Sequence, residues 1–349
     1  LERGAQQVYL KLQEEIARLG LEHEISLSMV SDIGRQDAAP VVIVYPEAVI
    51  YGPVTPQAVP HLVEEHLYKG RIVNELRAST RELSGRIAWI SARAGTLPAE
   101  QRIVLERAGI IEPESIEDYI GHDGYLALGK VLTEMQPADV LNEVKNSGLR
   151  GRGGAGFPTG TKWGFVARAQ GSQKYVVCNA DESEPGTFKD RLILEGDPHS
   201  IIEAMAITGY AIGASEGYVY IRGEYSLAQE RLHLAILQAR EMGFLGKNIF
   251  GTDFSYTIEV QSGGGAYVCG EETALIESIE GQRGNPRVKP PFPGQVGVWD
   301  KPTIVNNVET LSSVPMIIAK GGDWYKNKGT EDAAGTKIFQ VVGHVNKPG

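Results

Sequence analysis

The sequence is poor in cysteine and lacks any long apolar run. Cys178 and Cys269 are the only cysteines among 349 residues, and they lie far apart in the sequence. A disulfide framework and a C-x-x-C zinc site are therefore excluded within this chain. We expect a reducing, cytoplasmic compartment. The most apolar stretch, residues 201–221, is interrupted by Glu203 and Glu216, so the sequence predicts no membrane span.

A basic tract and a catalytic arrangement of histidines are also absent. The formal net charge is −10, which excludes nucleic acid and anionic membrane surfaces as partners. The seven histidines are scattered, and none belongs to a Ser-His-Asp or Cys-His arrangement. No metal site is predicted.

Glycine, by contrast, is abundant, with 42 residues. Six of them, with two arginines and a lysine, fall within residues 148–163. Bare glycine amides beside a cation suit a phosphate group, and glycine lets a ligand approach the backbone closely. This segment, the glycine loop, is therefore interpreted as a nucleotide cradle. A flexible surface loop is the alternative.

The sequence around the glycine loop does not fit the common nucleotide motifs. Residues 151–156 match G-x-G-x-x-G, but the dinucleotide fingerprint requires a strand before the loop. The apolar spacing of residues 138–146 predicts a helix there instead. A Walker A loop is excluded because Thr161 separates Gly160 from Lys162. The motif alone is therefore weak evidence.

The chain is long enough for two or three domains. Residues 1–80 predict a small α/β unit, with a helix over 8–19 and strands at 41–46 and 49–54 around a turn at Glu47 and Ala48. Residues 81–115 predict a connector. From residue 116 to 334, strand-like runs such as 175–178 and 218–221 alternate with helical runs at 201–211 and 227–241, which favours a largely parallel sheet. Residues 335–349 predict the opening strand of a further domain that the chain does not complete.

Three further segments carry polar chemistry. Residues 179–191 place Asn179 and several acids at the end of a predicted strand, where ligands bind in parallel sheets; a solvated acidic turn is the alternative. Residues 263–281 lead from three glycines into a helix that begins near Glu271 and Glu272 and ends at Gly281; helix-start acids that only stabilise the N-terminus are the alternative. Residues 287–310 present Lys289 on a proline-stiffened backbone, or form a rigid linker.

The order and the amino-acid sequences of these four segments resemble those of the FMN- and NADH-binding subunit of respiratory complex I. The diaphorase subunits of NAD-linked hydrogenases and formate dehydrogenases are similar. The resemblance covers residues 116–349 and implies an α/β fold with a Rossmann-like FMN-binding domain. It also implies a thioredoxin-like domain in residues 1–80 and the start of a β-grasp (SLBB) domain at residues 335–349.

The resemblance implies a role for each matching residue. The residues that would line the FMN are Gly151, Arg152, Gly153, Gly154, Lys162, Asn179, Asp181, Glu182, Gly270, Glu271, Asn306, Asn307 and Thr310. The residues that would contact NADH are Phe157, Phe165, Glu184, Glu272, Lys289 and Phe292. Catalytic roles at the nicotinamide and flavin fall to Glu184, Tyr267 and Glu272.

The implied activity is hydride transfer between NADH and FMN in a multisubunit oxidoreductase. Electrons would then pass singly to iron–sulfur clusters such as 4Fe–4S, which cysteines hold. The two cysteines here each lie inside an FMN-site motif, and residues 33–40 of the leader contain none. We therefore expect the clusters in a missing C-terminal region or in partner subunits. Those partners would be a 2Fe–2S thioredoxin-like subunit and a hydrogenase, formate dehydrogenase or complex I type subunit. The alternative function is a non-catalytic NADH-sensing or scaffold subunit.

Overall fold

The fold was analysed in a computed structural model that describes residues 4–29, 39–44, 49–78 and 101–344. The chain divides into two compact units, Leu1–Gln101 and Arg102–Gly349. The second unit begins ahead of residue 116, where the sequence places its start, because Ile103, Val104 and Ile111 are buried in its core. Residues 81–100 of the predicted connector and residues 33–38 of the cysteine-free segment lie outside the described residues.

The first unit contains both helix and strand, as the sequence predicts. Helix α1 (Ala5–Arg18) is followed by strands β1 (Val42–Val44) and β2 (Val49–Tyr51), which pair antiparallel. Helix α2 (Val59–Leu62) continues into a π-helical turn, Val63–Tyr68. The predicted turn at Glu47 and Ala48 lies outside the described residues. Apolar side chains from α1, β2 and α2 form one core cluster.

The second unit alternates strands with helices. Its strands are β3 (Tyr175–Ala180), β4 (Glu216–Ile221), β5 (Thr257–Ser262) and β6 (Thr303–Asn307). Its helices are α3 (Ile116–Gly121), α4 (Leu126–Glu134), α5 (Pro137–Asn146), α6 (Thr159–Arg168), α7 (Lys189–Gly196), α8 (Pro198–Ile212), α9 (Ser226–Glu241), α10 (Glu272–Ile279), α11 (Val308–Lys320) and α12 (Gly322–Lys326). The strands predicted at 175–178 and 218–221 and the helices predicted at 138–146, 201–211 and 227–241 are confirmed.

The four strands of the second unit form one parallel sheet in the order β5-β4-β3-β6. Because β4 and β5 extend the sheet on one side of β3 and β6 lies on the other, the winding direction reverses between β3 and β6. This order is Rossmann-like, and ligands in such sheets bind beyond the carboxyl ends of the strands at that reversal. The predicted, largely parallel α/β sheet is confirmed.

Helix α8 is the most deeply buried helix in the described part of this unit. Glu203, which interrupts its apolar sequence, is buried but fully bonded: it accepts from Tyr119 Oη at 2.5 Å and from the amides of Tyr125 and Leu128 at 3.0 Å each. Burial raises the pKa of its carboxyl group. Among the described residues, no helix combines the length and apolarity needed to cross a bilayer.

The strand predicted to open a further domain does not form in its described part, residues 335–344. This segment contacts the glycine loop and helix α11 instead. Arg152 Nε donates to the carbonyl of Thr336 at 3.2 Å, and the amide of Ile338 donates to Glu309 Oε1 at 2.9 Å. These side-chain bonds engage backbone groups that a strand would use for its ladder.

Replacing Gly217 with alanine should destabilise the second unit by about 2 kcal/mol. Gly217 lies on β4, and a Cβ there would collide with Tyr256 Oη and lie 2.8 Å from Met205 Cε. Both neighbours are fully buried and cannot retreat. Chemical denaturation of the variant measures the loss. The control is Gly121→Ala, because a Cβ at Gly121 meets nothing within 4 Å; equal stability of the two variants would contradict the prediction.

Candidate functional site

The glycine loop connects α5 to α6 beside the reversal point of the sheet. Its ends are pinned: Gly151 N donates to Phe157 O at 2.9 Å, and Arg152 N donates to Thr310 Oγ1 at 2.9 Å. The amides of residues 153–156, which lie between Arg152 and Phe157 in the sequence, donate no hydrogen bond to any described residue. Gly154 and Gly156 have φ values of 119° and 65°, a region that favours glycine. The loop therefore presents a run of free N–H donors.

The Arg152 side chain does not face the loop's free amides, although the sequence analysis assigns Arg152 to the cofactor. Its guanidinium is buried and donates to the carbonyls of Arg150, Ala334 and Thr336 and to Tyr325 Oη. The bonds to Ala334 and Thr336 tie the loop to residues 334–336, the bond to Tyr325 ties it to α12, and the bond to Arg150 lies within the loop. Arg152 thus acts here through its backbone and as a structural anchor, because interior oxygen atoms accept from four of the five N–H donors of its guanidinium.

The segment after β3 places one unpaired carboxylate oxygen at the reversal point. Asn179 Nδ2 donates to the carbonyl of Gly270 at 2.9 Å, and Ser183 Oγ donates to Asp181 Oδ1 at 2.7 Å. Asp181 Oδ2 is buried and has no partner among the described residues. Burial raises the pKa of this carboxyl group, partly offset by the bond from Ser183. A buried acceptor without a partner is uncommon and indicates a position prepared for a donor.

Two neighbouring acids in this segment have different roles. Glu182 accepts from the amides of Asp190 and Arg191 at 3.1 and 3.2 Å and from Tyr225 Oη at 3.1 Å. Its carboxylate therefore caps α7, which the sequence analysis did not anticipate. Glu184 accepts from Tyr267 Oη at 2.6 Å, so the segment after β3 is joined to the one after β5.

Two glutamates and two lysines form an alternating charge cluster at the start of α10. Glu272 pairs with Lys162 at 3.0 Å and with Lys289 at 2.8 Å, and Lys289 also pairs with Glu271 at 2.9 Å. Burial would raise the pKa of Glu272, but the two lysines outweigh it and hold that pKa below its usual value. Glu271 is the N-cap of α10, because it accepts from the amides of Thr273 and Ala274.

The polar residues at the end of β6 lie beneath the glycine loop. Trp163 Nε1 donates to Asn306 Oδ1 at 2.8 Å. Asn307 caps α11 by accepting from the amide of Glu309 at 3.1 Å. A Cβ on Gly153 would lie 3.1 Å from Asn307 Cβ, so the loop rests directly on this side chain.

Three phenylalanines near the loop are exposed, unlike most large apolar residues of the unit. Phe157, Phe165 and Phe292 are 48%, 53% and 56% exposed, and the rings of Phe157 and Phe165 lie 6.5 Å apart. Arg168 lies over the Phe165 ring, 5.6 Å from its centre. Exposed aromatic faces of this kind suit the stacking of a flat ring.

The structure thus brings most of the predicted site residues to one edge of the sheet, and it adds four that the sequence analysis left unassigned. These are Lys189, Asp190, Tyr225 and Glu309. Lys189-Asp190-Arg191 lies at the end of the acidic segment. Its mixture of positive and negative charge is the one feature of the sequence that could have indicated a role for Lys189 and Asp190. A cavity of about 250 Å³ beside the loop is lined in part by Gly154, Lys189 and Glu309. No group of three or more metal-ligating side chains occurs in the described ranges.

Comparison with known proteins relates this edge of the sheet to a family of cofactor-binding domains. Residues 144–316 match the family described as the Nuo51 FMN-binding domain. This part of the chain, just under half of it, is similar to the Nuo51 FMN-binding domain. The match spans the glycine loop, β3 to β6 and the start of α11, and FMN is the cofactor of the domain. The resemblance to the flavoprotein of complex I is therefore confirmed.

Relatives of the Nuo51 domain occur in two kinds of complex. The NADP-reducing hydrogenase subunit HndC of Solidesulfovibrio fructosivorans is 58% identical over 74% of this chain and 52% of its own length. An NADH-quinone oxidoreductase subunit of Aquifex aeolicus is 56% identical over 71% of this chain and 58% of its own length. This chain thus spans a little over half the length of these relatives. The structure of an NAD+-reducing NiFe-hydrogenase in the H2-reduced state matches with a TM-score of 0.60 and 31% identity, over 97% of this chain and 55% of that chain.

The residues at the edge fit FMN on two counts. The free amides of residues 153–156 suit a phosphate group, which binds well to successive backbone N–H donors. The unpaired Asp181 Oδ2 suits a ribityl hydroxyl or a ring N–H. The phosphate requires hydrogen-bond donors, and the ribityl hydroxyl or ring N–H requires an acceptor. This edge of the sheet supplies both.

Proposed function

We propose that this chain is the flavoprotein component of a multisubunit oxidoreductase, which transfers hydride between NADH and FMN and passes electrons singly to iron–sulfur clusters. The observation that carries the proposal is that free loop amides and an unpaired buried carboxylate oxygen both occur at the edge of the sheet where its winding reverses. The names of two relatives, an NADH-quinone oxidoreductase subunit and an NAD+-reducing hydrogenase, support it.

FMN, when bound, supplies the ring that takes up an electron pair as hydride and releases electrons one at a time. The amides of Gly153 and Gly154 would hold its phosphate. Asp181 would accept from its ribityl chain or ring, with Asn179, Gly270, Glu271 and Asn306 around it. Other residues would support the cofactor site indirectly, because their side chains or backbone atoms position the loop, α7 or α10. These residues are Gly151, Arg152, Lys162, Glu182, Asn307 and Thr310.

The NADH side of the site requires stacking and charge more than acid–base catalysis. Phe157, Phe165 and Phe292 would stack on the adenine. Glu272 and Lys289 would contact ribose hydroxyls, and the bonded pair of Glu184 and Tyr267 would lie next to the nicotinamide. Hydride transfer between two rings needs no protein proton donor, which agrees with the lack of a catalytic histidine arrangement.

The final electron acceptor is assigned to other chain segments or other subunits. Cys178 and Cys269 are both buried, and these two cysteines are fewer than the four that hold a common iron–sulfur cluster. We propose cytoplasmic partners carrying iron–sulfur clusters, of the hydrogenase, formate dehydrogenase or complex I type. We also keep the assignments of residues 1–80 to a thioredoxin-like leader and of residues 335–349 to the start of a β-grasp domain.

Anaerobic mixing with NADH tests the proposed function. The protein, purified with FMN present, should bind it, and one equivalent of NADH should bleach the visible flavin absorbance in a single turnover. A yellow protein that binds NADH without bleaching would favour a nucleotide-sensing role. A protein that never retains flavin would favour a scaffold.

Replacing Glu272 with glutamine should shift nucleotide preference toward NADPH by about tenfold in the ratio of kcat/KM values, equivalent to ~1.4 kcal/mol. Lys162 would lose its carboxylate partner and Lys289 would keep only Glu271, so both would attract a 2′-phosphate. Steady-state kinetics with both nucleotides measures the ratio. The matched control is Glu277→Gln on the same helix, which pairs with Arg287 instead. An unchanged ratio in the Glu272 variant would remove its specificity role.

A further inference from the structure

Four polar residues, two of them buried and two half-buried, join the two sides of the reversal point. They are Lys189 and Asp190 at the start of α7, and Asn307 and Glu309 at the start of α11. Lys189 Nζ lies 2.6 Å from Asp190 Oδ1, 3.1 Å from Glu309 Oε2 and 3.1 Å from Asn307 Oδ1. Asn307 Nδ2 donates to Asp190 Oδ2 at 2.6 Å. We call this group the Asn307 clamp.

We propose that Asp190 and Lys189 are positioning residues for the cofactor, which hold the Asn307 carboxamide in one orientation and thereby fix the glycine loop above the sheet. The inference rests on the proposed function, because it assigns the loop amides to the FMN phosphate. It makes Asn307 a support for the loop rather than a direct ligand.

The clamp permits a single orientation of the Asn307 carboxamide. The oxygen faces two donors, Lys189 Nζ and the amide of Glu309, while the nitrogen faces the Asp190 carboxylate. Reversing the group would place its NH2 against an ammonium and its oxygen against a carboxylate. Each of those contacts is repulsive and leaves a buried group unpaired.

Gly153, the first residue after the bonded amide of Arg152, rests directly on Asn307. The amide of Arg152 is bonded to Thr310, and a Cβ on the next residue, Gly153, would make a tight contact of 3.1 Å with Asn307 Cβ. A displaced Asn307 would therefore displace the backbone that carries the free amides.

Opposite charges also hold the members of the clamp together. The clamp holds one ammonium between two carboxylates, with side chains only 16%, 4% and 4% exposed for Lys189, Asp190 and Glu309. Burial lowers the pKa of Lys189, but the two carboxylates outweigh it, so the group remains protonated. Truncating one member of such a buried group frees the others to move, because each charge then needs a new partner.

A double-mutant cycle on FMN affinity tests the proposal. The apo-protein is titrated with FMN, following flavin fluorescence, for the parent, Asp190→Ala, Asn307→Ala and the double variant. We expect Asp190→Ala to weaken FMN binding by about tenfold. In the Asn307→Ala background the same change should have no further effect, because Asp190 acts through Asn307. Independent, multiplying losses would overturn the proposal.

Riboflavin provides a readout that a general loss of structure would not give. It lacks the phosphate, so Asp190→Ala should leave its affinity within about twofold of the parent while FMN affinity falls. Equal losses for both flavins would indicate a structural role alone and overturn the proposal. The control is Asp253→Ala, in the same unit but outside the clamp, which should change neither affinity. If the parent itself fails to bind FMN, the proposed function fails; if the parent binds and Asp190→Ala binds equally well, the clamp proposal alone fails.

Discussion

Replacing Gly153 with valine should lower the affinity for FMN by about a hundredfold or more, equivalent to ~3 kcal/mol. The first added atom would lie 3.1 Å from Asn307 Cβ, and the two methyl groups beyond it would need space that Asn307 occupies. Asn307 cannot retreat, because Lys189, Asp190 and the amide of Glu309 hold its carboxamide. The loop must therefore shift, and its free amides are displaced with it.

Flavin fluorescence titration of the apo-protein measures this loss, and chemical denaturation shows whether the fold is retained. The matched control is Gly121→Val, in a position where a Cβ meets nothing within 4 Å. The control should bind FMN as the parent does. If the Gly153 variant keeps the parent's affinity while folded, the loop does not hold the cofactor at the position argued here.

The free energy of unfolding of the second unit should fall by about 3 kcal/mol as the pH decreases from about 6.5 to 4, owing to His199 alone. Burial lowers the pKa of His199 to about 4. In the unfolded chain the imidazole titrates near its ordinary value of 6.5. Between these two values the unfolded state binds a proton that the folded state does not, so stability is lost as the pH falls.

Denaturant titrations across that pH window measure the effect, with His199→Gln as the comparison. His199 packs between Tyr125 Oη, at 2.9 Å from Nδ1, and Gln238 Oε1, at 3.0 Å from Nε2. The glutamine variant should be less stable at neutral pH, because it fills this space less well, but its stability should vary less between pH 6.5 and 4. Parallel pH profiles for parent and variant would show that His199 does not cause the slope.

Patterns with a simple period were predicted well from the sequence. The strands at 175–178 and 218–221 are continuous runs of apolar and β-branched residues, and a strand buried on both faces requires such a run. The helix before the glycine loop was predicted from its apolar spacing, and α5 forms there. Local composition decides these elements, because each one buries a face that its own sequence defines.

Side-chain direction within the site was not predictable in the same way. Arg152 was assigned to the cofactor, but four interior oxygen atoms engage its guanidinium. Glu182 was assigned likewise, yet its carboxylate caps α7. Apart from Arg150, the competing partners of Arg152 lie far along the sequence, and those of Glu182 lie in a helix whose first residue the pattern did not define or at the distant Tyr225. Residues 335–344 contain no strand in the described part of the chain, and the amide of Ile338 donates to Glu309 there.

The sequence by itself determined the α/β class, the places where the chain turns back at glycine-rich and acidic segments, and the family to which those segments belong. These follow from local propensity and from residue combinations that are rare. The tertiary structure alone decided which polar atoms remain free at the reversal between β3 and β6. A donor or acceptor is free only when every nearer partner is already engaged, and those partners come from segments up to 184 residues apart in the sequence.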